Sequence, residues 1–176
     1  MKRAAIFTLI IMCVFLLNSA WAQEKKELTR AEQNKIINDY HKTVLADADA
    51  LIKHVEAKGD DYDAKKVKQY IIDLDRNIEA AAEHHTVVRS IKIKVSKNIN
   101  VDKPAAAAKE IEASHNVIAD HHVKADREIN DLKKDIKASK KIAASKIIKN
   151  AKAIVDHITK AQVEHDGLWI QKKSKK

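Results

Sequence analysis

Histidines recur along this 176-residue chain in short segments that follow one plan. Each segment has an acidic residue, then an aromatic or imidazole ring, then a residue on or beside an apolar stripe. The segments span residues 38–44, 82–88, 119–125 and 155–161. Imidazole nitrogens bind transition metals, and the ring gains its charge near pH ~6.5. The repeat therefore indicates metal binding or a response to pH, with hydrogen-bonded core histidines as the alternative.

A site for a divalent transition metal would combine these imidazoles with nearby carboxylates. Glu112 and His115 are three residues apart, and His122 and Asp126 are four apart, so each pair shares one face of a helix. Imidazole and carboxylate ligands together suit Zn(II), Cu(II) or Ni(II). The candidate metal ligands are His41, His85, His115, Glu112, His122, Asp126 and His157.

Enzyme signatures are missing from the sequence. It contains no Gly-rich phosphate loop, no Gly-x-Ser-x-Gly elbow and no His-Glu-x-x-His motif. A di-iron bundle requires paired Glu-x-x-His motifs with further glutamates, and only residues 112–115 fit that pattern. We therefore expect a protein without catalytic activity.

The first 22 residues have the three parts of a cleaved secretory signal. Residues 1–3 are cationic at Lys2 and Arg3, residues 4–17 are almost continuously apolar, and Ala20 and Ala22 suit cleavage after residue 22. The apolar run is shorter than the ~20 residues of a membrane-spanning helix, although an uncleaved anchor is the alternative. Cleavage would remove the single cysteine and lower the formal charge from +9 to +7, because two basic residues leave. We expect a periplasmic or secreted protein.

Long helices are the elements that must position the histidines. Two glycines and one proline cannot supply the turns of an all-β protein. Apolar residues recur at three- and four-residue steps, which is typical of helices with one buried face. The predicted helices span about residues 29–58, 61–97, 104–138 and 140–166, preceded by a frayed segment at 23–28 and followed by a basic tail at 168–176.

Local signals mark several of the predicted helix ends. Thr29 and Glu32 form a capping box at the start of the first helix. Gly59 ends that helix, and Asp60-Asp61 opens the next with negative charge at its N-terminus. Gly167 is predicted to end the last helix.

The join near Ser139 decides between two all-α architectures. No glycine or proline marks a turn there, so residues 104–166 could form one helix of ~95 Å. That helix would leave apolar surface exposed. We predict instead a turn around Ser139 and an up-down-up-down four-helix bundle, in which the histidine segments meet in one layer near the middle. Three helices with one very long C-terminal helix are the alternative.

Two short segments resemble known families. Residues 122–129 resemble a segment of a secreted, ferritin-like bacterial family of unknown function, of predicted outer-membrane protein type. That family favours an Asp-His-x-Lys-Ala segment followed, after a spacing, by a Leu on a bundle helix, whereas here His121 and Ile129 replace the Asp and the Leu. The resemblance implies an exported four-helix fold and no activity. Residues 28–33 are similar to the LTxxQ signature of small helical periplasmic stress chaperones, with the Gln one place late.

Charge and the second resemblance give an alternative function. The chain has 34 basic and 25 acidic residues. A chaperone-like or envelope-interaction protein would use helix faces for unfolded client proteins and a basic surface for anionic envelope components. The residues expected to contact an anionic surface are Lys172, Lys173, Lys175 and Lys176. We do not expect nucleic-acid binding, because the chain is predicted to be exported and has few aromatic residues for base stacking.

Overall fold

Four α-helices account for most of the part of the chain that the computed structural model describes, residues 30–98, 105–138 and 141–173. The helices are α1 (Arg30–Lys58), α2 (Ala64–Asn98), α3 (Ala105–Lys137) and α4 (Ala144–Lys173), with a 3-10 turn at Gly59–Asp61 between α1 and α2. The predicted signal at 1–22, the frayed segment at 23–28, and Thr29, Pro104 and Ser139 lie outside the described residues.

The helices form an antiparallel four-helix bundle, which confirms the predicted fold class. α1 packs along α2 and α4, and α3 packs along the same two helices from the opposite side. The alternative with one long C-terminal helix is wrong, because α3 ends at Lys137 and α4 begins at Ala144 and packs against it. Folding back lets both helices bury apolar stripes that a single helix would leave exposed to water.

One end of the bundle has a continuous apolar core. We call it the apolar half; it is the end with the 3-10 turn and the connection from α3 to α4. Its fully buried side chains follow the predicted stripes on all four helices. They include Val44, Leu51, Val55, Ile71, Leu74, Ile78, Ile129, Leu132, Ile147, Ile154 and Ile158.

The start of α2 differs from the prediction. Asp60 and Asp61 lie in the 3-10 turn and do not open the helix. Asp63 does so instead, because its Oδ1 accepts hydrogen bonds from the backbone N–H groups of Lys65 at 2.9 Å and Lys66 at 3.2 Å. These are two of the N–H groups that a helix start leaves without a partner within the helix.

Side chains of the connection between α1 and α2 contact the connection between α3 and α4 and hold the two together. The Tyr62 hydroxyl is buried; it donates to the carbonyl of Ile142 at 2.7 Å and accepts from the N–H of Ile142 at 3.1 Å. Asp60 Oδ1 accepts from the N–H of Ala144 at 2.8 Å, so Asp60 caps the start of α4 from across the bundle. The turn between α3 and α4 is therefore fixed by another connection, without a glycine or proline of its own.

The two glycines behave differently. Gly59 has φ 55°, a left-handed conformation that favours glycine, and α1 ends before it as predicted. The prediction that Gly167 ends α4 is wrong, because the helix continues to Lys173 and includes part of the expected tail. A glycine inside a helix costs about 1 kcal/mol relative to alanine, which weakens a helix without ending it. Lys175 and Lys176 lie outside the described residues.

The length and apolar content of a helix decide whether it can cross a membrane, and this applies to the helices that the structure describes. None of them combines the length and the apolar character needed to cross a bilayer.

Candidate functional site

Five histidines are buried together in the other end of the bundle. We call them the histidine layer: His41, His85, His115, His122 and His165. None of the five is more than 3% exposed, and together they come from all four helices. The layer fills core positions that apolar side chains occupy in the apolar half.

The layer contains two hydrogen-bonded imidazole pairs. His41 Nε2 and His122 Nε2 are 2.8 Å apart, and His85 Nε2 and His115 Nδ1 are 2.9 Å apart. In each pair one ring donates an N–H and the other accepts it with a lone pair. A neutral imidazole has one donor nitrogen and one acceptor nitrogen, so the hydrogen bond within each pair can form while all four rings are uncharged.

Ring contacts connect the two pairs to each other and to the fifth histidine. The His85 and His122 centroids are 5.7 Å apart in an edge-on arrangement, and those of His41 and His165 are 6.2 Å apart in the same arrangement. His165 Nε2 is also 3.1 Å from Asn34 Oδ1, a buried amide. The five rings are therefore one contiguous group.

The layer lies nearer one end of the bundle than the predicted middle position. His41 is in the first half of α1, and His165 is close to the end of α4. In the antiparallel bundle, the start of α1 and the end of α4 lie at the same end as the connection between α2 and α3. We call this end, which contains the layer, the histidine half. Apolar residues are also buried in this half. They are Ile37, Ala81, Val88, Ile118 and Ala161.

Burial favours the uncharged form of three of these imidazoles, His41, His85 and His122. Burial lowers the pKa of His41 to about 3, with a further contribution from the nearby His165. Burial lowers the pKa of His122 to about 3 as well, and His41 adds to the effect. The pKa of His85 falls to about 4 through burial, then through His165 and Arg89. A protonated ring here would lose its hydration and repel its neighbours.

The predicted candidate ligands do not all enter the layer. His41, His85, His115 and His122 belong to it. Glu112 is exposed and lies 3.5 Å from the Arg89 guanidinium. Asp126 is half-buried and accepts a hydrogen bond from Asn130 at 2.9 Å. His157 lies outside the layer, where its ring centroid is 5.7 Å from that of His121.

His165 is the member that the sequence prediction missed. It follows Ile158 and Ala161 at helical spacing, so the α4 stripe already pointed to it. The helix was expected to end at Gly167, which would have left His165 in a fraying last turn. Because α4 continues to Lys173, His165 is held in the core.

The residues that the structure describes form no preformed metal site. Among the described residues, no group of three or more histidine, cysteine, aspartate or glutamate side chains is arranged to hold a metal ion. In the two closest pairs the facing nitrogens are already hydrogen-bonded to each other. A metal would have to replace these hydrogen bonds and draw in further donors.

Fold and site together define an all-α four-helix bundle with a layer of buried imidazoles in its core. No protein-family model, curated protein or solved structure matches the chain. The resemblances to the ferritin-like secreted family and to the LTxxQ chaperones therefore stay predictions.

Proposed function

We propose that this protein is an exported, non-enzymatic bundle that responds to acid through its histidine layer. At neutral pH the uncharged rings pack as core residues, and acid loosens the histidine half while the apolar half keeps the helices together. The observation that carries the proposal is the contact of five buried imidazoles, two pairs of which are bonded through facing nitrogens.

Proton counting explains why the layer would respond sharply. One added proton leaves each hydrogen bond intact, because an imidazolium can donate to a neutral partner. A second proton on the same pair puts an N–H on both facing nitrogens, and the bond between His41 and His122 becomes a contact between two cations. Burial opposes even the first proton, since a charge in the core loses its hydration.

Charged groups around the layer modify this response without cancelling it. On α4, Asp166 Oδ1 is 3.9 Å from His165 Nδ1, but the Asp166 side chain is half exposed. On α2, Arg89 opposes a charge on His85. Glu79 of α2 and Asp126 of α3 line a crevice beside the layer. Tyr40 of α1 stacks on the ring of His84 of α2. His84 Nδ1 is 2.8 Å from Oε1 of Gln33, which also belongs to α1.

Hydrogen exchange at single amides tests the proposal, because it separates local opening from global unfolding. Between about pH 7 and pH 5, we expect protection to fall at Ile37, Ile118 and Ala161 after correction for intrinsic exchange rates. Protection at Leu51 and Ile154, in the apolar half, should change much less. Equal protection at both pH values in the histidine half would refute the proposal, and so would equal loss in both halves.

A chaperone-like activity is a second candidate, favoured by the apolar side chains that share the histidine half. Ile37, Val88 and Ile118 are at most 1% exposed, and opening this half would present them to an unfolded client. We expect the protein to suppress aggregation of an unfolded client at about pH 5 and not at about pH 7.5. Suppression of the same strength at both pH values would contradict a link to the histidine layer.

A further inference from the structure

A crevice opens between α2 and α3 beside the histidine layer. Its volume is about 400 Å³, within the ~300–1,000 Å³ range of small-molecule sites. Ile78 and Ala82 of α2 form one wall, and Ala119 and Val123 of α3 form the other. The two alanines leave the space that larger side chains at these positions would fill.

The crevice combines these apolar walls with acidic groups and imidazoles. Glu79 and Asp126 contribute carboxylates, although the protein as a whole is positively charged. His85 and His122 also line it and are both 2% exposed. His122 Nδ1 is buried, and within the described part of the chain it has no hydrogen-bond partner.

We propose that this crevice binds a small amphiphilic primary amine in its protonated form. An ammonium group donates hydrogen bonds through its N–H groups, and Glu79 and Asp126 line the crevice with carboxylates that can accept them. The buried His122 ring also lines the crevice and adds no positive charge there at neutral pH, since burial lowers its pKa to about 3. The apolar body of the amine would contact Ile78 and Val123.

Acid would release this ligand, a consequence that rests on the proposed function. At neutral pH the crevice has two carboxylates and uncharged imidazoles, so its charge complements an ammonium ion. Loosening of the histidine half in acid would separate the two walls of the crevice, and protons taken up by the opened imidazoles would repel the ammonium group. The protein would then bind the amine at neutral pH and release it in acid.

NMR titration of the protein with three probes of similar shape tests the proposal. At about pH 7.5 phenethylamine is expected to shift resonances of Ala82, Ala119 and Val123 with a Kd on the order of 1 mM, which suits a ligand of this size. The neutral probe 2-phenylethanol and the anionic probe phenylacetate should bind at least about tenfold more weakly. Equal binding of amine and alcohol would refute recognition of the charge.

Variants distinguish the contribution of the carboxylates to amine binding from that of the crevice volume. Glu79→Gln and Asp126→Asn should each weaken amine binding about tenfold, because each removes one charge-assisted hydrogen bond. The matched control is Glu83→Gln, an exposed glutamate one turn along α2 that does not line the crevice. Ala119→Leu keeps both carboxylates and fills the space, so it should abolish saturable shifts. Unchanged affinity in Glu79→Gln and Asp126→Asn would overturn the proposal.

Repeating the titration at about pH 5 separates this inference from the proposed function. Loss of amine binding together with loosening of the histidine half supports both. A bundle whose amide protection does not change with pH, but which still binds phenethylamine at neutral pH, would refute the acid response and leave the amine site standing. Absence of saturable shifts at neutral pH would refute the amine site alone.

Discussion

Replacing the His41–His122 pair with leucine should remove much of the pH dependence of stability. These rings have pKa values of about 3 in the fold, against the ordinary 6.5. Below pH ~6.5 the unfolded chain therefore binds protons that the folded core excludes, and acid favours unfolding. The stability contributed by each neutral ring is complete above pH ~6.5 and falls by about 1.4 kcal/mol per pH unit below it.

The expected magnitude follows from the width of this pH window. At about pH 5 each of the two rings favours unfolding by about 2 kcal/mol, so the pair contributes about 4 kcal/mol. That is a large part of the ~5–15 kcal/mol that stabilises a typical domain. His85, with a pKa of about 4 in the fold, remains in the double variant and keeps part of the slope.

Urea unfolding of His41→Leu/His122→Leu, followed by circular dichroism between about pH 7.5 and pH 5, measures this effect. Removing both partners of a buried hydrogen bond for apolar groups should be nearly neutral at the higher pH. The difference in the free energy of unfolding between the double variant and the unmodified protein should shift by about 4 kcal/mol in favour of the variant when the pH is lowered to about 5. Ile118→Val is the control in the same half; it should lose about 1 kcal/mol at every pH. A double variant that keeps the original slope would refute the reasoning.

Three further substitutions test the local structure by urea unfolding. Gly59→Ala should lose about 1 kcal/mol, because Gly59 has φ 55° and alanine is strained in that conformation. Gly167→Ala should gain about 0.5–1 kcal/mol, because Gly167 is inside α4 and an added Cβ meets no atom within 4 Å. If Gly59→Ala and Gly167→Ala changed the free energy of unfolding equally, the left-handed conformation of Gly59 and the helical conformation of Gly167 would be contradicted. Tyr62→Phe should lose about 1–3 kcal/mol, because the N–H and carbonyl of Ile142 would lose their hydrogen bonds to the Tyr62 hydroxyl. An unchanged stability would show that these hydrogen bonds between the two connections do not stabilise the fold.

The sequence predicted the helices and their buried faces well, because both depend on local periodicity. The stripes that contain His41, His85, His115 and His122 are the faces that the bundle buries. The turn near Ser139 was also expected, since two helices that fold back bury more apolar surface than one long helix. These features follow from burying apolar side chains at helical spacing.

Features that depend on partners distant in sequence were not predicted. Nothing near residue 144 shows that Asp60 caps α4, because the acceptor comes from a connection 84 residues earlier. The pairing of His41 with His122 depends on how two helices are rotated against each other, which counting residues from a turn does not give. The same method placed the layer near the middle of the bundle. On the last helix the repeated segment pointed to His157, which lies outside the layer, and not to His165.

The arrangement of the core is itself an argument for function. The apolar half shows that this sequence can fill a bundle core with isoleucine, leucine and valine. In the histidine half, five core positions hold imidazoles. The ring nitrogens are buried polar atoms that need hydrogen-bond partners, and acid can charge the rings. Residues of this kind weaken a core that serves stability alone, and departures from good packing are expected at functional sites. Because the five come from all four helices, a single substitution cannot move the layer. The protonation state of the layer therefore bears on how tightly the whole histidine half is held.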